Sequence, residues 1–208
     1  MKARLFFVSM MAVLLLAMPG SIAAENQTAD KDKEFKATCP VSGKPAIETS
    51  VLAGPKDTKV YFCCKNCPKA YQANPEKFAL KVSRQLLETG QIVQVGCPIS
   101  GQAVNEETLV EVGEAKAGFC CEKCEAKYAE ASDDDKLKIL FANFKKGFTF
   151  QTKCPLSGKP INPEVSVEYK DEKVYFCCPG CPAGFEAEPE KFVAKLPQFA
   201  KDEADASQ

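Results

Sequence analysis

The sequence predicts a small α+β architecture of metal-stabilised modules, three in tandem, each a knuckle turn followed by a β-hairpin and a helix. Three observations carry this prediction. Cys39-Pro40-Val41-Ser42-Gly43, Cys97-Pro98-Ile99-Ser100-Gly101 and Cys154-Pro155-Leu156-Ser157-Gly158 recur at spacings of 58 and 57 residues. Each is followed, 23 or 24 positions later, by a Cys-Cys-x-x-Cys cluster: Cys63, Cys64 and Cys67; Cys120, Cys121 and Cys124; Cys177, Cys178 and Cys181. The twelve cysteines thus fall into three sets of four with none left over, and the chain has no histidine.

The N-terminus is set apart from these units. Met1-Lys2-Ala3-Arg4 is doubly positive, an apolar run follows from Leu5 to Met18, and Pro19, Gly20 and Ser21-Ile22-Ala23-Ala24 close it. That is the order of a secretory signal peptide over 1–24, with cleavage after Ala23 or Ala24. The alternative is a retained membrane anchor, but the run is short of the roughly 20 apolar residues that span a bilayer. No cysteine follows it to carry a lipid. Residues 25–36 read as a polar linker. The expected location is therefore periplasmic or secreted, with no membrane attachment after cleavage.

Module 1 is placed at 37–90, a divergent module 2 at 91–148, module 3 at 149–197, and an acidic tail at 198–208. In each, the Pro-x-Ser-Gly stretch is a tight turn in which glycine takes a positive φ. The hairpin is clearest in module 3, where Val165-Ser166-Val167-Glu168-Tyr169 alternates, Lys170-Asp171-Glu172 turns and Val174-Tyr175-Phe176 returns. Gly54-Pro55-Lys56-Asp57 breaks the pair at the same place in module 1, and Leu109–Val112 pairs with the stretch up to Phe119 in module 2. Proline is tolerated in the first turn of a helix, so Pro68 and Pro182 place helix starts near Cys67 and Cys181. Glu125 takes that place in module 2, where a negative charge suits a helix N-terminus. Phe62, Phe119 and Phe176, with Tyr71, Tyr128 and Phe185, form the apolar core. Asn74-Pro75-Glu76-Lys77-Phe78 and Glu188-Pro189-Glu190-Lys191-Phe192 open a second helical segment, and Asp133-Asp134-Asp135 replaces that opening in module 2. Stretches near 88–95 and 146–152 are the junctions.

Units of this size bury too little apolar surface to be secure alone and usually add disulfides or a metal. Adjacent Cα atoms are about 3.8 Å apart, shorter than the roughly 4.4–6.8 Å of a relaxed disulfide, so a Cys63–Cys64 bridge would be strained. Bridges from Cys39 to one member and from the other to Cys67 remain open, at about 2–4 kcal/mol each. A structural zinc site is worth roughly 10–16 kcal/mol in apparent binding energy, and lysines and helix starts near the clusters favour thiolate. Energy favours metal, whereas an exported compartment permits disulfides. Strand parity places Cys64 on the face of Val60 and Phe62 and leaves one cysteine of each pair as a candidate core thiol. Cys39, Cys63 and Cys67 would then be a three-sulfur site suited to copper(I), whereas all four cysteines of a set suit zinc.

Composition excludes other classes. Without histidine there is no Ser-His or Cys-His nucleophile, no His-ligated zinc hydrolase and no type-one copper site. A net charge of −1 with interspersed acids and lysines gives no basic patch for nucleic acid. A thiol–disulfide oxidoreductase has the Cys64-x-x-Cys67 spacing but lacks a thioredoxin-like βαβ context, so the chain reads as non-enzymatic.

At these residues the sequence resembles the TRASH-like metal-binding modules and the related YHS domain family. The resemblance is carried by Cys39 with Cys63 and Cys67, Cys97 with Cys120 and Cys124, and Cys154 with Cys177 and Cys181. Val60-Tyr61-Phe62-Cys63-Cys64 and Asn74-Pro75-Glu76-Lys77-Phe78 add to it. It implies three zinc-ribbon or treble-clef-like units binding zinc, copper or another soft metal. Ser42, Ser100 and Ser157 stand where that family carries a cysteine, and Cys64, Cys121 and Cys178 are the candidates to replace it. The expected function is an exported protein that buffers, carries or senses soft ions, zinc or copper(I), with one ion per module and up to three in all. A protein partner for metal transfer goes with that reading. The alternative is an interaction scaffold held by structural zinc or by disulfides.

Overall fold

A computed structural model of the protein describes residues 35–200. The predicted signal peptide, nearly all of the polar linker and residues 201–208 of the tail lie outside the described residues. No helix among those described is long and apolar enough to cross a membrane.

The alternating stretches form antiparallel hairpins. In the first unit β1 (Ile47–Ala53) pairs with β2 (Lys59–Phe62), and the chain then enters α1 (Cys67–Ala73) and α2 (Ala79–Glu88). After a short strand β3 (Val93–Gln94), the second unit forms β4 (Asn105–Val112), β5 (Ala115–Phe119) and α3 (Glu122–Ala129). It continues through α4 (Asp133–Phe141), α5 (Phe144–Gly147) and β6 (Phe148–Thr149). The third unit has β7 (Asn162–Tyr169), β8 (Glu172–Phe176), α6 (Cys181–Ala187) and α7 (Glu190–Val193).

The turns have physical causes. Lys170 and Asp171, both at positive φ (50° and 63°), make a two-residue turn whose twist matches the flanking strands. Gly113, at φ +64°, serves between β4 and β5, and a longer loop with Lys56 and Asp57 at positive φ serves between β1 and β2. Each hairpin slips register at the same place: after Ile47↔Phe62, Asn105↔Phe119 and Asn162↔Phe176. Such a bulge bends the strand and re-aims the end that leads into the cysteines. In the second unit Thr108 fills the gap, its hydroxyl donating to the Phe119 carbonyl at 2.6 Å and accepting the Phe119 N–H at 3.2 Å.

Pro68 and Pro182 lie in the first turns of α1 and α6, which begin at Cys67 and Cys181 as expected. Without a proline, α3 starts two residues earlier in its unit, at Glu122, with Glu122 and Glu125 in its first turn. The Asp133-Asp134-Asp135 run opens α4, where the Ser132 hydroxyl accepts the Asp135 N–H and the acidic first turn suits the helix dipole.

The six expected core aromatics meet in pairs: Phe62–Tyr71, Phe119–Tyr128 and Phe176–Phe185, with ring centroids 5.6, 5.4 and 5.5 Å apart. The first two units share a single hydrophobic cluster, which runs from Ala37 through Leu86 and Ile92 to Phe141 and Phe148. The two predicted junctions make part of this joint, because β3 pairs with β6 (Val93↔Thr149, Gln94↔Phe148). Glu88, its side chain wholly buried, fastens the same joint. It accepts from the Thr38 N–H (2.6 Å) and hydroxyl (2.9 Å), faces Arg84, and accepts the Glu114 N–H of the next hairpin at 3.4 Å. The third unit keeps its own cluster of Cys154, Val174, Phe176, Phe185 and Leu196.

Leu86 is 1 % exposed within the shared cluster. Leu86→Ala is expected to destabilise the chain by about 2–5 kcal/mol, measured as a lowered midpoint in urea at unchanged slope.

Candidate metal centre

Each site is assembled from a knuckle on one side and a strand-to-helix bend on the other. In the first knuckle the Cys39 N–H donates to the Lys44 carbonyl (2.8 Å) and the Gly43 N–H to the Cys39 carbonyl (2.9 Å). The same pair recurs at Cys97 and Gly101, both at 2.7 Å, and at Cys154 and Gly158, at 2.8 and 2.9 Å. A Cβ on Gly43 or Gly158 would meet nothing within 4 Å, so these glycines are required by their φ of +72° and +70° and not by crowding.

The sulfurs converge. The Sγ atoms of Cys39, Cys63 and Cys67 lie within 4.8 Å of one another, as do those of Cys97, Cys120 and Cys124, and of Cys154, Cys177 and Cys181. Four sulfurs at about 2.3 Å from a tetrahedral zinc would be about 3.8 Å apart. The separations Cys63–Cys67 (3.6 Å), Cys120–Cys124 (3.8 Å) and Cys177–Cys181 (3.7 Å) match that edge. They are far from the roughly 2.05 Å of a disulfide bond, and all twelve cysteines are free thiols. Three groups of thiols close enough to hold a metal ion are therefore present, one in each unit.

The remaining cysteine of each set stands outside its group. Cys64, Cys121 and Cys178 are exposed, at contact distance from a neighbour: Cys64 and Cys178 are 3.5 Å from Cys67 and Cys181, and Cys121 is 3.7 Å from Cys120. The expectation that strand parity carries Cys64 into the core is corrected here. β2 ends at Phe62, the chain bends at Cys63-Cys64, and parity has no meaning beyond the strand.

Two kinds of residue that complete the site had no role assigned from sequence. The first is a serine hydroxyl. Ser42, Ser100 and Ser157 place Oγ at 3.1, 3.2 and 3.1 Å from the Sγ of Cys63, Cys120 and Cys177. Each Oγ also accepts the N–H of Lys44, Gln102 or Lys159. With that lone pair occupied, the O–H is free to donate to sulfur.

The second is a glutamine amide. Gln94 Nε2 donates to the carbonyls of Gly96 (3.0 Å) and Gly118 (2.7 Å), while its Oε1 accepts the Gly118 N–H (2.8 Å). Gln151 repeats this with Lys153 (3.1 Å) and Tyr175 (2.6 and 3.0 Å). Gln85 does so with Thr38 (2.9 Å) and Tyr61 (2.7 and 2.8 Å). In every unit one amide thus ties the residue before the lone cysteine to the residue two before the cysteine pair. Gln94 and Gln151 each sit three positions before their lone cysteine, which is a repeat the sequence displays. Lys36 occupies that place in the first unit, and the clamp comes from α2 instead.

The electrostatics divide each set. Burial raises the Cys39 thiol, but hydrogen bonds from the Ser42 side chain and from the backbone of Ser42, Cys63 and Val41 outweigh it and bring it down to about 7. Cys97 and Cys154 reach about 7 and about 6 against the same burial, through Ser100 and Ser157 and the equivalent backbone groups. The helix-start cysteines move the other way. Burial, then contact with Cys64, Cys63 and Cys39, raises Cys67 well above an ordinary thiol. Burial with Cys120 and Cys121 pushes Cys124 up to about 12, and contact with Cys178 together with burial does the same at Cys181. Hydrogen bonds from the backbone and from the neighbouring cysteines also lower Cys64, Cys121 and Cys178, so within each set it is the helix-start thiol whose ionisation is opposed. A soft cation among the sulfurs removes that opposition.

No protein-family model, no curated protein and no solved structure matches this chain.

Gln151 is 1 % exposed. Gln151→Ala leaves the Tyr175 N–H and carbonyl without their buried partner and is expected to cost about 1–3 kcal/mol. Denaturant unfolding checks this, and Gln151→Glu is the comparison, since it keeps the acceptor and removes the donors.

Proposed function

We propose that this chain is an exported, non-enzymatic binding protein for soft metal ions, zinc or copper(I), which it buffers and carries with one ion per unit. The observation that carries the reading is the threefold recurrence of a three-cysteine group whose sulfurs all lie within 4.8 Å. Thiolates select soft ions, and three of them without a histidine or carboxylate suit copper(I) in particular. Export rests on the N-terminal segment read as a signal peptide. The resemblance to TRASH-like and YHS modules, with its treble-clef-like description of knuckle, hairpin and helix, belongs to the same proposal.

In this reading the knuckle cysteines, Cys39, Cys97 and Cys154, are the anchoring ligands, buried and supplied with N–H donors. Cys63, Cys120 and Cys177 are the ligands that lie beside the serine hydroxyls, and Cys67, Cys124 and Cys181 close the triangle from the helix starts. Metal binding then releases protons chiefly from the helix-start thiols.

Native mass spectrometry of the exported chain, with and without reductant, tests the reading. Three ions per chain are expected, with no mass deficit from S–S bonds. Cys154→Ser is expected to hold two. A folded, metal-free chain lighter by two protons for each S–S bond would overturn the proposal in favour of a disulfide-held scaffold. Ser157→Ala leaves the ligands intact and is expected to weaken the third site by roughly 10–100-fold, measured by competition with a chromophoric chelator.

A further inference from the structure

We propose that Cys64, Cys121 and Cys178 are exchange thiols, through which an ion reaches and leaves the three-sulfur groups by ligand substitution. The inference rests on the metal-binding reading and assigns these residues a role in transfer and not in the resting site.

The sulfurs of each unit are graded in exposure. The knuckle cysteines form a closed wall, with Cys39 and Cys97 at 0 % and Cys154 at 1 % exposure. They belong to the same hydrophobic clusters as Phe62, Phe119 and Phe176. The helix-start and first-pair cysteines are buried or half-buried, and the second cysteine of each pair is the one exposed thiol of its set. An ion arriving from solvent therefore meets Cys64, Cys121 or Cys178 before any other sulfur. From there the next ligand is one contact away, at Cys67 (3.5 Å), Cys120 (3.7 Å) or Cys181 (3.5 Å), with Cys177 also 3.8 Å from Cys178. Those distances are within about 0.3 Å of the edge between two sulfurs on one ion, about 3.8 Å, so both thiolates can hold the ion at once during the handover.

The arrangement recurs although its local cause differs. Cys64 and Cys178 face the helix-start cysteine, where a proline sits in the first turn. Cys121 instead precedes the earlier start of α3 and faces its chain neighbour. Exposure and reach are retained in all three units.

The step is a substitution without redox change. On release, Cys64 gives up its proton and bonds the metal as one inner metal–sulfur bond breaks and that cysteine is protonated. An acceptor thiolate then bonds the metal as the Cys64 bond breaks and Cys64 is protonated again. The remaining bonds follow in turn. The ion keeps its oxidation state: each acceptor thiol gives up one proton as its bond to the metal forms, and each departing cysteine takes one up as its bond breaks, so bonds and protons exchange one for one. The acceptor this chemistry fits is another exposed thiol-rich site.

The test compares the full chain with the triple variant Cys64→Ser, Cys121→Ser, Cys178→Ser, both loaded with zinc and, in parallel, with copper(I). Ion count is read by native mass spectrometry. Transfer is followed by stopped-flow absorbance, to 4-(2-pyridylazo)resorcinol for zinc and to bathocuproine disulfonate for copper(I). The expected result is an unchanged count of bound ions with transfer slowed roughly tenfold or more. Thermal melting of the apo chains confirms that folding is unaltered, as suits three exposed side chains. An unchanged count with an unchanged rate overturns the inference. So does a variant that loses its ions, which would make these cysteines resting ligands. A parent chain that binds neither ion brings down the metal-binding reading itself, a result distinct from both.

Discussion

The structure depends on holding a knuckle and a hairpin, 23 or 24 residues apart, in one fixed relation. A metal group tolerates little error, since sulfurs even an ångström too far apart lose a bond. Aromatic pairs such as Phe119–Tyr128 bring the helix onto the hairpin but are indifferent to small slides. Direction comes from the glutamine amides. Each uses two donors and an acceptor on backbone groups of both segments, so the knuckle cannot shift along the strand without breaking buried hydrogen bonds. Gln85 and Gln151 are almost wholly buried, which makes their bonds costly to lose.

Within that frame the sites balance charge against burial. A buried thiolate is unfavourable unless donors surround it, and the knuckle supplies them from its own backbone and from a serine. The helix-start thiols receive no such help and lie against sulfurs already inclined to ionise. Each unit thus favours thiolate at its knuckle and opposes it at its helix start. The serine matters because it already accepts a backbone N–H, which leaves its O–H available to a sulfur.

Much of this was legible in the residues, and where it was not the reasons are physical. The hairpins follow from alternation, the starts of α1 and α6 from Pro68 and Pro182, and the trio Cys39, Cys63 and Cys67 from spacing. The destination of Cys64 was not legible, because parity applies only while a strand continues and β2 stops at Phe62. The amide clamps escaped since glutamine has no conspicuous chemistry, and since the first unit draws its own from α2, remote in sequence from Cys39. The shared cluster of the first two units could not be read either. It arises from α2, α4 and the β3–β6 pair, none of which the cysteine repeat contains.

That shared cluster makes the covalent repeat and the packing repeat different things. Three copies of a motif lie along the chain, yet they are grouped as a fused pair and a singlet. Severing the backbone near residue 90 would lay bare Leu86, Ile92 and Phe148 on the two fragments, whereas a break after residue 150 would leave both hydrophobic clusters whole. The second joint is crossed by polar contacts, the Lys145–Glu172 ion pair and the Lys56–Ala200 hydrogen bond, and by neither hydrophobic cluster, so an insertion there is expected to disturb less packing than one between the twinned halves.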